Sequence, residues 1–283
     1  MIPISFEYFP PKTDEQRAVL KATHKTLKSL NPEYCSVTFG AGGSTLAFTE
    51  NTAMSIHAES GIDAAPHISC LGGSQTGIKR LLDTYRENGI KRLVALRGDL
   101  PSGMAIGGEF RWANELVAYI RQETGDYFHI EVACYPEIHP EAESAERDMK
   151  HFKRKVDAGA NGAITQYFFN ADAYFNFVDE AQKTGINIPI VPGIMPITNF
   201  TQLSRFSDSC GAELPRWLRR KLQGYGDDRN AIQKFGTEFG TQLCQQLIDG
   251  GAPGLHFYTL NRSAATQAIC KNLGVKPKAV SAA

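Results

Sequence analysis

Eight times along this chain an apolar, β-rich run gives way to polar punctuation and then to residues at helical spacing. That alternation limits the fold more than any other feature of the sequence. The strand-like runs cover residues 4–9, 34–39, 64–70, 93–96, 130–135, 163–169, 188–194 and 255–259. The helical stretches that follow them cover 13–30, the segment up to about 60, 74–88, 109–123, 140–159, the segment up to about 184, an irregular region of two or three pieces reaching 249, and 262–273. Strands that alternate with helices pair in parallel, and eight such units in 283 residues match the length of one α/β barrel. The expected fold is therefore a (β/α)8 TIM barrel, with residues 1–283 forming a single domain. A doubly wound open sheet is the alternative. It lacks support, because no Gly-x-Gly-x-x-Gly follows the first run, and the nearest approach, Gly40-Ala41-Gly42-Gly43-Ser44-Thr45, follows the second and lacks the third glycine.

Composition narrows the partners. A formal net charge of zero supplies no basic field for nucleic acid and no acidic tail, and a 42% hydrophobic share is enough for a full core. No apolar stretch is long enough to span a bilayer, and Met1-Ile2-Pro3-Ile4-Ser5-Phe6-Glu7 does not read as a secretory leader. The six cysteines, at 35, 70, 134, 210, 244 and 270, include no Cys-x-x-Cys pair, and three fall inside expected strands. Buried reduced thiols in a cytoplasmic enzyme are the reading, with neither a disulfide framework nor a zinc site.

In a barrel the carboxyl ends of the strands converge on one mouth. Here those ends carry Glu7, Thr38, His67, Asp99, Tyr135 and Gln166, with Asn261 and Arg262 after the last strand. The run Leu93-Val94-Ala95-Leu96 stops abruptly on Arg97-Gly98-Asp99. It reads as a buried strand opening into a working loop, or as a strand ending in a surface ion pair at a Gly-Asp turn. Glu7, between Phe6 and Tyr8, is either a carboxyl shielded by aromatic neighbours and suited to proton donation or a solvent-facing residue of an alternating strand. Asp99 beside Arg97 tends to stay ionised, so the two carboxylates divide the labour between a proton donor and a fixed charge. Gln166 is either a buried amide awaiting a heteroaromatic ligand or a cap on the next helix. His67 and His139 have no carboxylate or second histidine at metal-ligand spacing, and no metal is expected. The cations of Lys150-His151-Phe152-Lys153-Arg154-Lys155 fall on two helix faces, one solvated and the other available to a diphosphate if it turns inward. Two rival classes are a flavin-free lyase or aldolase and a non-catalytic binding barrel. No expected strand ends in the lysine that Schiff-base chemistry uses, and a binding barrel has no need of both Glu7 and Asp99.

Eight segments carry a resemblance in a fixed order: Phe6-Glu7-Tyr8-Phe9-Pro10-Pro11, Ser36-Val37-Thr38-Phe39-Gly40-Ala41, Ala65-Pro66-His67, Ala95-Leu96-Arg97-Gly98-Asp99, Tyr135-Pro136-Glu137-Ile138-His139-Pro140, Lys153-Arg154-Lys155-Val156-Asp157-Ala158-Gly159-Ala160, Ile164-Thr165-Gln166 and His256-Phe257-Tyr258-Thr259-Leu260-Asn261. With them the chain resembles the bacterial-type methylenetetrahydrofolate reductases from end to end. The resemblance implies a barrel holding FAD at its mouth and reducing 5,10-methylenetetrahydrofolate to 5-methyltetrahydrofolate, with NADH or NADPH as co-substrate, in a ping-pong hydride transfer that supplies methyl groups for methionine synthesis. It implies Glu7 as the acid that opens the folate ring, and Asp99 as the charge between flavin and folate. Gln166, Gln202, Phe206 and Arg262 join Asp99 in holding the substrate. Flavin contacts are implied for Thr38, His67, Arg97, Gly98, Asp99, Ala113, Tyr135, His139, Asp148, Arg154 and Lys155. A homo-oligomer is implied as well, with no C-terminal regulatory domain. Two segments depart from the family pattern: Leu46-Ala47-Phe48, where an arginine is common, and the glycine-rich stretch 102–108.

Overall fold

A computed structural model gives the structure of the chain and describes residues 2–39, 46–70, 73–98 and 108–275. Within them lie β1 (Ile4–Tyr8), α1 (Asp14–Lys28), β2 (Tyr34–Val37), α2 (Leu46–Ser60), β3 (Asp63–Ser69), α3 (Gln75–Glu87), β4 (Arg92–Leu96), α4 (Ala113–Thr124), β5 (His129–Cys134), α5 (Ala145–Asp157), β6 (Gly162–Thr165) and α6 (Ala171–Lys183). After them come β7 (Ile190–Val191), β8 (Gly193–Ile194), α7 (Phe200–Cys210), α8 (Arg216–Gly224), α9 (Arg229–Asp249), β9 (Leu255–Tyr258) and α10 (Ala264–Asn272). All strand pairs are parallel, in the order β7-β6-β5-β4-β3-β2-β1-β9-β8.

The expected seventh strand, residues 188–194, is two short pieces, and Pro192 explains the break. Proline has no N–H to give to a ladder, so β7 pairs with β6 before it and β8 pairs with β9 after it. The two halves together close an eight-position (β/α)8 barrel. Only glycine fits at position 193, where a Cβ would lie 2.2 Å from the Thr165 carbonyl oxygen and 2.6 Å from the Tyr258 ring. The Gly193 N–H donates to Thr165 Oγ1 at 2.9 Å and fixes the bend.

Three helix starts lie two or more residues inside their expected limits. The stretch 140–159 becomes helical only at Ala145, where Ser144 accepts from the Arg147 N–H as N-cap. The stretch 109–123 begins at Ala113, with Glu115 Oε2 accepting from the Arg111 and Trp112 N–H groups. The last helix begins at Ala264 rather than at 262. The irregular region to 249 resolves into α7, α8 and α9.

Each strand divides its side chains by the two-residue period. Ile4, Phe6 and Tyr8 point outward and are buried under the helical layer, with Tyr8 edge-on to His24 of α1. Fully burying a side chain such as Phe6 stabilises the fold by about 2–3 kcal/mol. The inward residues form the barrel lumen, and its middle is an apolar layer of Tyr34, Ala65, Val94 and Ile164 with Leu96 and Tyr258 packed against it.

At the amino ends of the strands the lumen is charged. Arg92 donates from Nη1 to Glu131 Oε1 at 2.7 Å and from Nη2 to Glu33 Oε1 at 2.7 Å, and it lies over the Tyr34 ring. His129 Nε2 lies 3.0 Å from the same Glu131 oxygen. A Cβ on Gly162 would fall 2.3 Å from Glu131 Oε2, so the carboxylate occupies space that only a glycine leaves open. All six cysteines are free, five of them buried. No helix among the described residues is long and apolar enough to cross a membrane.

Candidate active site

At the opposite, carboxyl end of β1, Glu7 faces the lumen while Phe6 and Tyr8 face away from it. The aromatic shielding expected from its sequence neighbours is therefore absent: strand periodicity sends both rings to the other side of the sheet. The neighbours of Glu7 come from distant strands. Its Oε2 lies 3.5 Å from His67 Nε2 and 3.9 Å from His256 Nε2, and its side chain is 14% exposed. His256 is fully buried, holds Ser5 Oγ at 2.7 Å through Nδ1, and stacks on Tyr34. Tyr258, register partner of Glu7 on β9, donates its hydroxyl to the Thr165 carbonyl at 2.7 Å. Burial and then the Glu7 charge push that phenol well above its ordinary range.

Burial pushes the His67 imidazole down to about 4, with Glu7 opposing and His256 reinforcing the shift. At neutral pH His67 therefore adds no positive charge beside Glu7. Its Nε2, the Nε2 of His256 and the Ser36 hydroxyl all lack a hydrogen-bond partner among the described residues. Ser36 is the register partner of Glu7 on β2, so the carboxylate faces a pocket of unsatisfied polar atoms. Burying such atoms without partners is costly, which marks the site as built to receive polar groups.

A second group forms where β4 and β5 open. Arg97 pairs with Glu141 through Nη1 and lies 5.9 Å from the Trp112 ring, which stacks on His151 of α5. The Glu141 carboxyl is held below its usual range by that guanidinium. Ala113, buried, follows Trp112 as the first residue of α4. Gly98 has φ +87°, a conformation that glycine takes without strain. Asp99 lies outside the described residues.

Tyr135 meets the His139 ring edge-on at 4.5 Å. Asp148 Oδ2 accepts the His139 backbone N–H at 2.8 Å, and His139 Nδ1 accepts the Glu141 N–H at 3.0 Å. An accepting Nδ1 carries no proton, in keeping with burial, and then Arg97, lowering the affinity of His139 for one. The cation-rich face of α5 divides: Lys150 pairs with Glu146 and Lys153 with Asp157, Arg154 is exposed, and Lys155 alone reaches inward to donate to the Ala133 carbonyl of β5. Burial lowers the proton affinity of Lys155. Thr38, just past β2, is half-buried and accepts the Thr49 hydroxyl on its carbonyl.

On the far side of the mouth, Gln166 accepts the Tyr167 N–H on Oε1 at 2.9 Å, which ends β6 at Thr165 and turns Tyr167, Phe168 and Phe169 out of the sheet into the core. Tyr135, Gln166, Tyr167 and Cys210 line a recess of about 170 Å³ there, counting its open face. Gln202 and Phe206 sit one turn apart on α7, with Phe206 exposed and Leu203 and Ser207 turned to the core. Arg262 is exposed after β9.

The structure thus gathers Glu7 and His67 in one cluster and Arg97, Tyr135, His139 and Asp148 around the β4 and β5 openings. Five contributors escaped sequence reasoning: Ser36, His256, Tyr258, Trp112 and Glu141. His256 and Tyr258 were legible from alternation, which puts both on the Glu7 side of β9. Trp112 and Glu141 act through loop geometry and left no signal.

A family model described as methylenetetrahydrofolate reductase matches residues 1–274. The 5,10-methylenetetrahydrofolate reductase of Escherichia coli (strain K12) is 41% identical over 276 residues, covering 98% of this chain and 92% of its own. Methylenetetrahydrofolate reductase (NADH) 1 of Arabidopsis thaliana is 38% identical over 284 residues, covering 96% of this chain and 48% of its own. Among solved structures, an uncharacterized protein from Clostridium thermocellum that binds two copies of 5-methyl-5,6,7,8-tetrahydrofolic acid superposes with a TM-score of 0.67 at 16% identity, covering 97% of this chain and 94% of that one. The last is a likeness of fold; the first three, over nearly the whole chain, show that it belongs to the methylenetetrahydrofolate reductase family.

Proposed function

We propose that the chain reduces 5,10-methylenetetrahydrofolate to 5-methyltetrahydrofolate in a ping-pong cycle, with FAD held at the barrel mouth and NADH or NADPH as reductant, in the cytoplasm and toward methionine synthesis. The observation that carries this reading is the setting of Glu7: a carboxyl group on the inner wall, turned to two buried imidazoles and an unsatisfied serine hydroxyl. Family membership supports the reaction, and a barrel of the same fold that binds a reduced folate is consistent with it.

The residues present fit FAD. His67 offers a buried Nε2 beside Glu7 that lacks a hydrogen-bond partner among the described residues, and exposed Arg154 and Glu141-paired Arg97 would supply cations for a diphosphate, with Lys155 joining them by leaving the Ala133 carbonyl. Thr38, Gly98, Asp99, Ala113, Tyr135, His139 and Asp148 complete the proposed flavin contacts. FAD held there would supply a store for one hydride between the nicotinamide and the folate methylene carbon. Glu7 holds a proton at a carboxyl oxygen and delivers it to the ring nitrogen that leaves when the five-membered ring opens, exposing the iminium carbon to hydride. His67, uncharged at neutral pH, borders that proton without adding positive charge. Asp99, outside the described residues, is assigned by family resemblance alone the role of balancing positive charge on the folate. Gln166 binds whichever substrate occupies the site, Phe206 stacks on it, and Gln202 and Arg262 hold the folate.

The test is spectroscopic. Purified protein should show an oxidised flavin spectrum or acquire one with added FAD. It should bleach anaerobically with NADH or NADPH and recover colour with methylenetetrahydrofolate. A protein that binds no FAD defeats the flavin assignment; one that bleaches and does not recover with the folate defeats the substrate assignment.

A further inference from the structure

The sheet ladder between β1 and β9 ends at the pair Glu7 and Tyr258. Beyond it, side chains take over the pairing. Thr259 Oγ1 donates to the Glu7 carbonyl at 2.6 Å and accepts the Asn261 N–H at 3.2 Å. The Asn261 carboxamide then engages both backbone groups of Phe9: Oδ1 accepts the Phe9 N–H at 2.9 Å, and Nδ2 donates to the Phe9 carbonyl at 2.9 Å. This amide replaces the peptide of a missing strand residue. Its own backbone carbonyl accepts the Thr23 hydroxyl of α1 at 2.9 Å.

The turn that makes this possible is strained. Leu260 and Asn261 have φ of +51° and +56°, consecutive left-handed residues without a glycine. A left-handed residue with a Cβ is unfavourable, less so for asparagine. The same turn presents Arg262, whose N–H returns to the Thr259 carbonyl at 2.9 Å. Residues 7–9 and 259–262 are therefore one bonded unit, with Glu7 near one end and Arg262 at the other.

We infer that Asn261 is a positioning residue, whose clasp on Phe9 fixes Glu7 and Arg262 relative to one another for the folate half of the reaction. The inference rests on the proposed function. The clasp does not involve the side chains assigned to the flavin, so its loss acts on folate turnover and spares reduction by the nicotinamide.

Two variants of the holoenzyme test this by anaerobic rapid-mixing measurement of each half-reaction. Asn261→Gly keeps the left-handed backbone and removes both clasp bonds. Asn261→Asp keeps the acceptor for the Phe9 N–H and loses the donor to the Phe9 carbonyl. Bleaching by NADH or NADPH should stay within about threefold of wild type in both, because the flavin contacts are untouched. Reoxidation by methylenetetrahydrofolate should slow roughly tenfold or more in the glycine variant and less in the aspartate variant, with its pH profile displaced, since sub-ångström misplacement of a reacting group is costly. Reoxidation within about twofold of wild type in both variants overturns the inference. So does an equal loss in both half-reactions, which marks a brace of the fold alone. If the glycine variant does not fold, the aspartate variant carries the same comparison. Wild-type enzyme that methylenetetrahydrofolate cannot reoxidise defeats the proposed function itself, whereas normal wild-type reoxidation with unaffected variants defeats only the role of Asn261.

Discussion

Replacing Arg92 by methionine tests how the barrel tolerates charge in its interior. The guanidinium is 14% exposed and the Glu131 carboxylate 4%, so the bond between them lies in a poorly solvated part of the lumen. Removing one partner of a buried pair costs about 3–5 kcal/mol, because the other charge remains. Here Glu131 keeps His129 Nε2 at 3.0 Å, which puts the expected loss near the lower figure, about 3 kcal/mol. With an unfolding entropy of about 2.1 cal/mol/K per residue, 283 residues give about 0.6 kcal/mol/K, and the melting temperature should fall by about 5 °C. The double variant Arg92→Met, Glu131→Leu removes the buried pair but still leaves Glu33 and Asp63 without their cation, and should recover about half of the loss. Denaturant titration and thermal melts of the three proteins make the comparison. Since the cluster occupies the amino ends of the strands, folate turnover at the mouth should keep at least about half its rate in the folded double variant. A single variant within about 0.5 kcal/mol of wild type, or a double variant no better than the single, would refute the reasoning.

Acid stability gives another test. Burial holds the His67 pKa at about 4 against an ordinary 6.5, so between those values the unfolded chain takes up a proton that the folded chain refuses, and stability falls as pH drops. The contribution is complete above pH 6.5, and about 3 kcal/mol of it has been lost by pH 4. His67→Gln should flatten the stability profile over that window by this amount, and an unchanged slope contradicts the assignment. At the mouth, Ile138 is a β-branched residue at φ +71° with 43% of its surface exposed. Ile138→Gly should therefore change the folding free energy by less than about 1 kcal/mol, since relieved strain offsets lost contact, and a loss above about 2 kcal/mol in a denaturant titration argues that the conformation is unstrained.

Much of the fold was legible because barrel strands and their helices impose two different periods on the sequence. The runs ending at Tyr8, Val37, Leu96 and Cys134 were found to within two residues for this reason. Pro192 hid the seventh strand's division, since a break that keeps the same direction leaves the apolar run intact. The site was half legible. Strand ends pointed to Glu7, His67 and Gln166, yet the sequence neighbours of Glu7 misdirected attention to Phe6 and Tyr8, which lie on the wrong side of the sheet. What surrounds Glu7 arrives from 60 and 249 positions away, as His67 and His256. Buried charge in the lumen was the least visible feature, because Arg92 lies just before the expected fourth strand and Glu131 is a lone acid within the fifth, and they meet only when the strands are curled into a barrel.

The most direct test of the account is Glu7→Gln, followed through both half-reactions in the absence of oxygen. The amide retains the shape of the side chain and cannot deliver a proton. FAD binding and bleaching by NADH or NADPH should match wild type, while reoxidation by methylenetetrahydrofolate falls by roughly 100-fold or more, the scale of a lost general acid. Equal slowing of both half-reactions, or reoxidation that persists at the wild-type rate, contradicts the assignment of Glu7 as the acid.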